Sequence, residues 1–174
     1  MKMIASIYYV DEAHYDIKDS AYQLFLKKCF HYSTFFSVIS PRNDGIKRSV
    51  NNEQLFESLE PYLYFKKQTN EWPGTILMSN THTGYSAPVT FFVYRCTDET
   101  KEIIASVCNS IFSWYKGLPE DLSFYYPDKK IFLYTVAHEG SCVLSCSPNI
   151  YNEFSIFNTW TIDSPTDYLN EIYF

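Results

Sequence analysis

The sequence predicts an α+β fold, with a mostly antiparallel sheet and about three helices packed mainly on one face. Short runs of β-branched and aromatic residues, separated by turn residues, are typical of antiparallel strands. Three longer segments carry apolar residues at helical spacing. The chain has 174 residues, of which 46% are hydrophobic, and this is enough for one substantial core. We therefore expect a single globular domain over residues 1–174.

The stretch from Leu118 to Cys146 is the most regular part of the chain and predicts a three-stranded meander. Pro127-Asp128 has the residue types of a tight turn, because proline presets φ at the second turn position and aspartate tolerates the third. His138-Glu139-Gly140 interrupts the next apolar run, which resumes at Ser141. Two reversals joining three strand-like runs predict neighbouring antiparallel strands.

The middle strand of this meander is apolar on both faces. On a straight strand, alternation would place Ile131, Leu133 and Ala137 on one face and Phe132, Tyr134 and Val136 on the other. Antiparallel strands with one wet face alternate apolar and polar residues. We therefore expect both faces to be covered, one by helices and the other by more of the chain or by a partner.

Outside the meander, the apolar spacing predicts the remaining elements. The first predicted helix begins at residue 19 or 20 and runs to about residue 30, and the second begins at residue 51 or 52 and is interrupted by Pro61. The third begins at residue 97 or 98 and runs to about residue 115, and a short fourth covers residues 148–157. The predicted strands cover residues 3–10, 33–40, 75–78 and 89–95. A turn is expected at Glu71-Trp72-Pro73-Gly74, with Trp72 as a packing residue that holds it. Residues 159–174 are too mixed in composition to assign.

The charge is unevenly distributed, and this limits the kinds of partner. The net charge is −6, and no lysine or arginine follows Lys130. The acids of this last quarter are Glu139, Glu153, Asp163, Asp167 and Glu171. Nucleic acids and anionic membranes are disfavoured as partners of such a surface, whereas a basic protein would suit it.

The cysteine and glycine content argues against several kinds of site. The five cysteines follow no metal or redox spacing, and only five glycines are present, so no phosphate-binding glycine loop can be written. The histidines outside the meander are scattered, and we expect neither a metal nor a cofactor. The N-terminal residues lack the pattern of a secretory signal, and no apolar run approaches about 20 residues. Reduced thiols in the cytoplasm are the expectation.

One constellation is compatible with catalysis. His138 and Cys142 lie on either side of the predicted hairpin turn, and Asp121 lies at the start of the meander. A histidine beside a thiol is the arrangement that activates a cysteine nucleophile, although no third group that would orient the histidine can be identified. A small hydrolase or transferase using Asp121, His138 and Cys142 is therefore the enzymatic alternative, although turn, loop and buried-strand roles explain the same residues.

Three pieces of sequence carry a resemblance to a known group of proteins. They are Trp72-Pro73-Gly74-Thr75, the Phe112-Ser113-Trp114 end of a predicted helix, and Leu118-Pro119-Glu120-Asp121-Leu122 followed by Phe124-Tyr125 and His138-Glu139. Residues 19–146 are similar to small proteins of spore-forming bacteria that often carry the label "stage III sporulation protein AH". The resemblance implies no activity. It implies a role in sporulation as one alternative, and small proteins of this type are often toxin-neutralising immunity proteins.

The leading interpretation is a non-enzymatic, cytoplasmic protein-binding module, in its narrower version an immunity-type inhibitor of a basic toxin. Exposed tyrosines next to acids are typical of protein interfaces. The candidate interface residues are Glu120, Asp121, Tyr125, Glu139, Glu153 and Asp163. The expected partner is a protein, and a basic one in the narrower version; neither a nucleic acid nor a membrane is expected.

Overall fold

The computed structural model describes residues 3–8, 16–40, 50–77, 88–115, 117–158, 160–163 and 167–174. Within these ranges the α-helices are α1 (Asp19–Tyr32), α2 (Val50–Leu59), α3 (Asp98–Ala105) and α4 (Pro148–Phe154). The strands are β1 (Met3–Tyr8), β2 (Phe35–Ile39), β3 (Leu63–Thr69), β4 (Glu71–Trp72), β5 (Thr75–Ile76), β6 (Val89–Arg95), β7 (Glu120–Tyr125), β8 (Ile131–Val136), β9 (Ser141–Cys146) and β10 (Thr161–Asp163). The last residues of the predicted strands at 3–10 and 75–78 lie outside the described residues.

The fold is α+β, as predicted. Eight strands form one sheet in the order β10-β1-β9-β8-β7-β2-β6-β3, and every pairing in it is antiparallel. The strands β4 and β5 form a separate two-stranded hairpin. The first strand of the chain lies between β9 and β10, so residues far apart in sequence close one side of the sheet.

Two clusters of buried side chains cover the two faces of the sheet. We call the face covered by the first cluster the helix face. Its buried side chains include Tyr22 and Phe25 of α1, Leu59 of α2, Ile104 of α3 and Phe154 of α4. All four described helices therefore pack on this one face. The second face is covered by Trp72 of the β4–β5 hairpin and by Leu169 and Tyr173 near the end of the chain. Both faces are covered, as the apolar middle strand predicted, and chain segments cover the second one.

The meander of β7, β8 and β9 is confirmed, but in its middle strand the predicted faces are wrong for Ile131 and Phe132. Phe124 pairs with Leu133 and Tyr125 with Ile131, so one extra residue, Phe132, stands on β8. This is a β-bulge, and it reverses the alternation on one side of the irregularity. Phe132 and Leu133 both pack on the helix face. The second face receives Ile131, Tyr134 and Val136.

The two reversals of the meander have the chemistry that the sequence predicts. In the first, the backbone N–H of Lys129 donates to the Tyr126 carbonyl at 2.9 Å, and Lys129 has a φ of +65°. A type I turn followed by a left-handed residue is a common way to close a hairpin. In the second, residues 137–139 form a 3-10 turn that ends at Gly140, with a φ of +63°. This turn places His138 and Glu139 near the start of β7.

The helix predicted over residues 97–115 is wrong beyond Ala105. Its start is as expected, because Thr97 and Thr100 form a capping box. After Ala105 the chain leaves the helix, and Ser110 is extended so that it bridges to Lys18. Poor helix formers fill this stretch. A 3-10 turn over Ile111–Ser113 then buries the aromatic residues whose spacing imitated a longer helix.

Candidate functional site

Asp121 is a buried carboxylate at the start of β7, and it joins three separate parts of the chain. Its side chain is 1% exposed. The indole Nε1 of Trp72 donates to Oδ2 at 2.8 Å, and the backbone N–H of Ala137 donates to Oδ1 at 2.9 Å. The residue has a φ of +57°, a conformation that aspartate tolerates better than most residues. Asp121 therefore links the β4–β5 hairpin, β7 and the 3-10 turn at His138.

Glu120 and His138 complete a compact cluster with Asp121. One oxygen of each carboxylate and one imidazole nitrogen all lie within 4.8 Å of one another. Glu120 is 8% exposed, whereas the His138 side chain is 35% exposed. His138 Nε2 also lies 3.7 Å from Glu139 Oε1. The cluster is therefore two buried carboxylates with an imidazole between them and the solvent.

The environment of Asp121 acts on its charge in opposing directions. Burial is the largest effect and raises the pKa of Asp121 above its usual value. The hydrogen bonds from Trp72 and Ala137, and the nearby His138, act to lower that pKa, while Glu120 acts to raise it. A buried carboxyl group with a raised pKa beside an imidazole has the means to exchange a proton.

A polar cleft lies beside this cluster and has a volume of about 520 Å³. Its walls come from residues 16–18, from the segment 109–115 and from residues 137–140. Burial is the main reason that the pKa of Asp16 is raised, and Asp16 is hydrogen-bonded to Ser110. The hydroxyls of Ser110 and Ser113 lie 2.6 Å apart. His138 is the member of the carboxylate cluster that lines this cleft.

Of the three residues predicted for a hydrolase or transferase, the structure groups only Asp121 and His138. Asp121 and His138 come together, but Cys142 packs on the helix face, whereas Asp121 bonds Trp72 of the second face. Burial raises the pKa of the Cys142 thiol, which disfavours the thiolate. Cys142 is not among the side chains that cluster with Asp121 and His138, so the structure does not favour it as the nucleophile, and this role stays a prediction.

A second surface feature is a groove between the β4–β5 hairpin and residues 171–173, with a volume of about 370 Å³. Trp72, Tyr134 and Tyr173 are buried side chains that line it. Exposed Glu71 and Glu171 flank it. We call it the acidic groove. Ile76 lines it with 68% of its surface exposed, and Ile172, between two lining residues, is 60% exposed.

Gly74 makes the acidic groove possible by a close backbone approach. It has a φ of +80°, and a Cβ there would lie 2.5 Å from Tyr134 Cε2 and 2.7 Å from Val136 Cγ2. The turn at residues 72–74 is confirmed, and Trp72 is the buried packing residue that the sequence predicts. Its bond to Asp121 was not predicted, because nothing local in the sequence connects residue 72 with residue 121.

The six predicted interface residues do not form one surface. Glu120, Asp121 and Tyr125 are buried, and the Tyr125 hydroxyl lies 2.7 Å from Ser37 Oγ, so these three side chains are not accessible to a partner. Glu139 is largely exposed, and Asp163 stands opposite Ile4 in β1. Ile4 also pairs with Ser145 of β9. Ser145 is four residues from Ser141, the end of β9 next to Glu139, which is about 13 Å at ~3.3 Å per residue. Asp163 and Glu139 therefore lie toward opposite ends of β9.

Glu153 lies apart from both, on α4. Lys28 Nζ donates to it at 2.7 Å, and the Tyr32 hydroxyl donates at 2.6 Å. Its charge is therefore already compensated within the chain. The acidic groove was missed by the sequence analysis because its lining comes from three distant segments. The one local signal was Glu171-Ile172-Tyr173, an acid and a large apolar residue next to a tyrosine in a stretch too mixed to assign.

The five cysteines are all free thiols in the structure. Among the helices of the described ranges, none combines the length and the apolar character that crossing a membrane requires. Comparison of the chain with protein-family models, with curated proteins and with solved structures gave no match.

Proposed function

We propose that the protein is a protein-binding module that holds a basic, partly apolar segment of a partner protein in the acidic groove. The observation that carries this proposal is the exposure of Ile76 in a groove lined by aromatic side chains. Ile172 is also exposed, next to the lining residues Glu171 and Tyr173. Large apolar side chains exposed next to an aromatic depression are typical of interaction sites.

The charges around the groove favour a partner with lysine or arginine. Glu71 and Glu171 flank the groove, and Glu171 belongs to the last quarter of the chain, which has no lysine or arginine. Opposite charges at the edge of an interface speed association and exclude wrong partners more than they raise affinity. We therefore expect binding to weaken as salt is added, since exposed charges are screened over about 8 Å at physiological ionic strength.

Narrower versions of this function rest on the resemblance described above. Inhibition of a basic toxin is one, and a role in sporulation is another. The exposed Glu139 and the edge-strand residue Asp163 remain candidate contacts outside the groove. Glu153 would have to give up its bonds to Lys28 and Tyr32 to contact a partner.

The test is a selection of short random peptides displayed on phage, performed on the whole chain. We expect the enriched peptides to combine a large apolar residue with neighbouring lysine or arginine. Anisotropy titrations of these peptides should show binding about tenfold weaker for the E71K/E171K variant and for the I76S/I172S variant. The matched control is E57K, which reverses an exposed acid of α2 on the helix face.

Two results would contradict the proposal. One is a selection that enriches no shared sequence pattern over a selection on the E71K/E171K variant. The other is a set of enriched peptides that binds E71K/E171K as tightly as the unchanged chain.

Acid–base catalysis in the polar cleft is the second candidate function, and the observation that favours it is the proximity of Asp121 and His138. It would operate without Cys142, in a cleft where Ser110 and Ser113 supply hydroxyl groups. A screen of ester and phosphoester substrates tests it. We expect any genuine activity to be lost in H138Q and kept in H31Q, which changes an exposed histidine of α1.

A further inference from the structure

We propose that Glu120, Asp121 and His138 bind a single divalent transition-metal cation of the Mn²⁺ type. One donor atom from each of the three side chains lies within 4.8 Å of the other two. The donors come from two elements, since the carboxylates begin β7 and the imidazole belongs to the turn between β8 and β9. The proposal does not rest on the proposed function, although Trp72, which donates to Asp121, also lines the acidic groove.

The spacing of the donors is close to what one ion requires. Bonds from such ions to carboxylate oxygen and imidazole nitrogen measure about 2.0–2.2 Å, so two donors of one ion lie at most about 4.4 Å apart. Closing the cluster from its present spacing takes a shift of a few tenths of an ångström. His138 supplies this shift most easily, because its side chain is partly exposed.

The carboxylate of Asp121 is already oriented for this role. Trp72 and Ala137 each donate to a different oxygen, and each carboxylate oxygen has a second lone pair that remains for a metal. Hydrogen bonds from neighbours to a ligating carboxylate are the usual way in which proteins position metal ligands. Glu120 lies next to it and is also buried, and a cation would offset the repulsion between the two carboxylates.

The donor set indicates which metals fit. Two carboxylates favour hard cations, whereas an imidazole favours transition metals over Mg²⁺ and Ca²⁺. No thiol belongs to the cluster, so softer copper and thiolate zinc chemistry is not indicated. His138 also lines the polar cleft, which gives hydrated ions a route to the buried carboxylates.

The test is a titration of the whole chain with Mn²⁺, in which electron paramagnetic resonance measures the free ion. We expect one saturable site per chain. Binding should weaken at least tenfold in H138Q and in E120Q. It should stay within twofold of the unchanged chain in H31Q, which removes an exposed histidine outside the cluster. A competing titration with Mg²⁺ should displace the Mn²⁺ only at a large excess.

A second measurement does not depend on how well the variants fold. Bound Mn²⁺ broadens the NMR signals of nearby protons, and in the unchanged chain we expect the strongest broadening at the Ala137 amide and the Trp72 indole N–H. Three results would overturn the proposal. They are no saturable binding of Mn²⁺, binding by H138Q and E120Q that is as tight as binding by the unchanged chain, and broadening centred elsewhere in the chain.

Discussion

Asp121 shows at the scale of one residue how far the local sequence misleads. Between a proline and a strand-like run, an acid is most simply interpreted as an exposed loop residue. The structure buries it and gives both of its oxygens a donor. The donors come from residues 72 and 137, so only the folded chain reveals why an acid is needed there. Removing one of these hydrogen bonds would leave a buried polar group without a partner, which lowers the free energy of unfolding.

We expect Trp72 and Asp121 to be energetically coupled. W72F removes the indole donor and some packing volume, and D121N places an amide nitrogen where a donor already points. Each should lower the free energy of unfolding by about 2–4 kcal/mol. The double variant should lose about 1–2 kcal/mol less than the sum of the two. Urea unfolding with an unchanged m value measures this, with E57Q on the exposed side of α2 as the control. Strict additivity would contradict the direct bond.

Glu153 illustrates a charge whose effect on stability depends on pH. Its hydrogen bond from Lys28 is the main reason that the pKa of Glu153 is lowered from its ordinary value near 4.5, and the bond from Tyr32 adds to this. A carboxyl group with a lowered pKa in the folded state stabilises the fold above the unfolded pKa and loses this contribution as the pH falls. The stability that Glu153 supplies is therefore present at neutral pH.

We expect the difference in free energy of unfolding between the unchanged chain and E153Q to shrink as the pH falls below about 4.5. Urea unfolding of both proteins at several pH values measures it. A difference that stays constant, or grows toward low pH, would mean that the Lys28 and Tyr32 bonds do not act on the charge. High salt should also reduce the difference, because this pair is partly exposed.

At the scale of elements, a strong local pattern of apolar residues is enough to predict a helix or strand. Features that depend on residues far apart in the sequence are not predicted. The strand β6 and the helix α1 were found because their residues carry a clear period over their whole length. The helix α3 was extended too far, since Ile111, Phe112 and Trp114 are buried by a separate turn at a spacing that imitates a helix. The bulge at Phe132 left no local signal, because it is set by pairing with β7.

The candidate sites follow the same rule. The proximity of Asp121 and His138 could be anticipated, since the two ends of a tight meander meet. The placement of Cys142 on the helix face could not, because the predicted faces of the meander lacked the pairing partners that define them. The acidic groove requires the β4–β5 hairpin and the end of the chain to lie together on the sheet. Tertiary contacts with Tyr134 determine this placement, and the local sequence does not.

The β4–β5 hairpin provides a prediction at this scale. Replacing Gly74 with alanine adds a Cβ that collides with Tyr134 and Val136 and forces a side chain into positive φ. We expect G74A to lower the free energy of unfolding by about 2–4 kcal/mol, from backbone strain and overpacking together.

G74N separates the two causes of this loss. Asparagine accepts positive φ more readily than alanine but carries the same Cβ. If the collision dominates, G74N and G74A lose similar stability in urea unfolding. A G74N variant as stable as the unchanged chain would show that the contact with Tyr134 is not close.

At the scale of the whole molecule, the two faces of the sheet are covered by different means. Four helices from along the chain bury the helix face, whereas a short hairpin and the last residues cover the second. The ring of Phe174 lies 5.0 Å from that of Tyr125 and 5.6 Å from that of Phe35, measured between centroids. The Lys67 ammonium donates to the Tyr173 carbonyl at 2.7 Å. This segment is therefore part of the core and also forms one wall of the acidic groove.

Because of this double role, neighbouring positions in the last segment should behave differently when each is changed to alanine. Tyr173 is buried on the second face, so Y173A should lower the free energy of unfolding by about 3–4 kcal/mol. Phe174 packs among aromatic rings, so F174A should lower it by about 1–3 kcal/mol. Ile172 points outward, and I172A should stay within about 0.5 kcal/mol of the unchanged chain. Urea unfolding measures all three. If I172A were as damaging as Y173A, Ile172 would be a core residue and not an exposed contact for a partner beside the acidic groove.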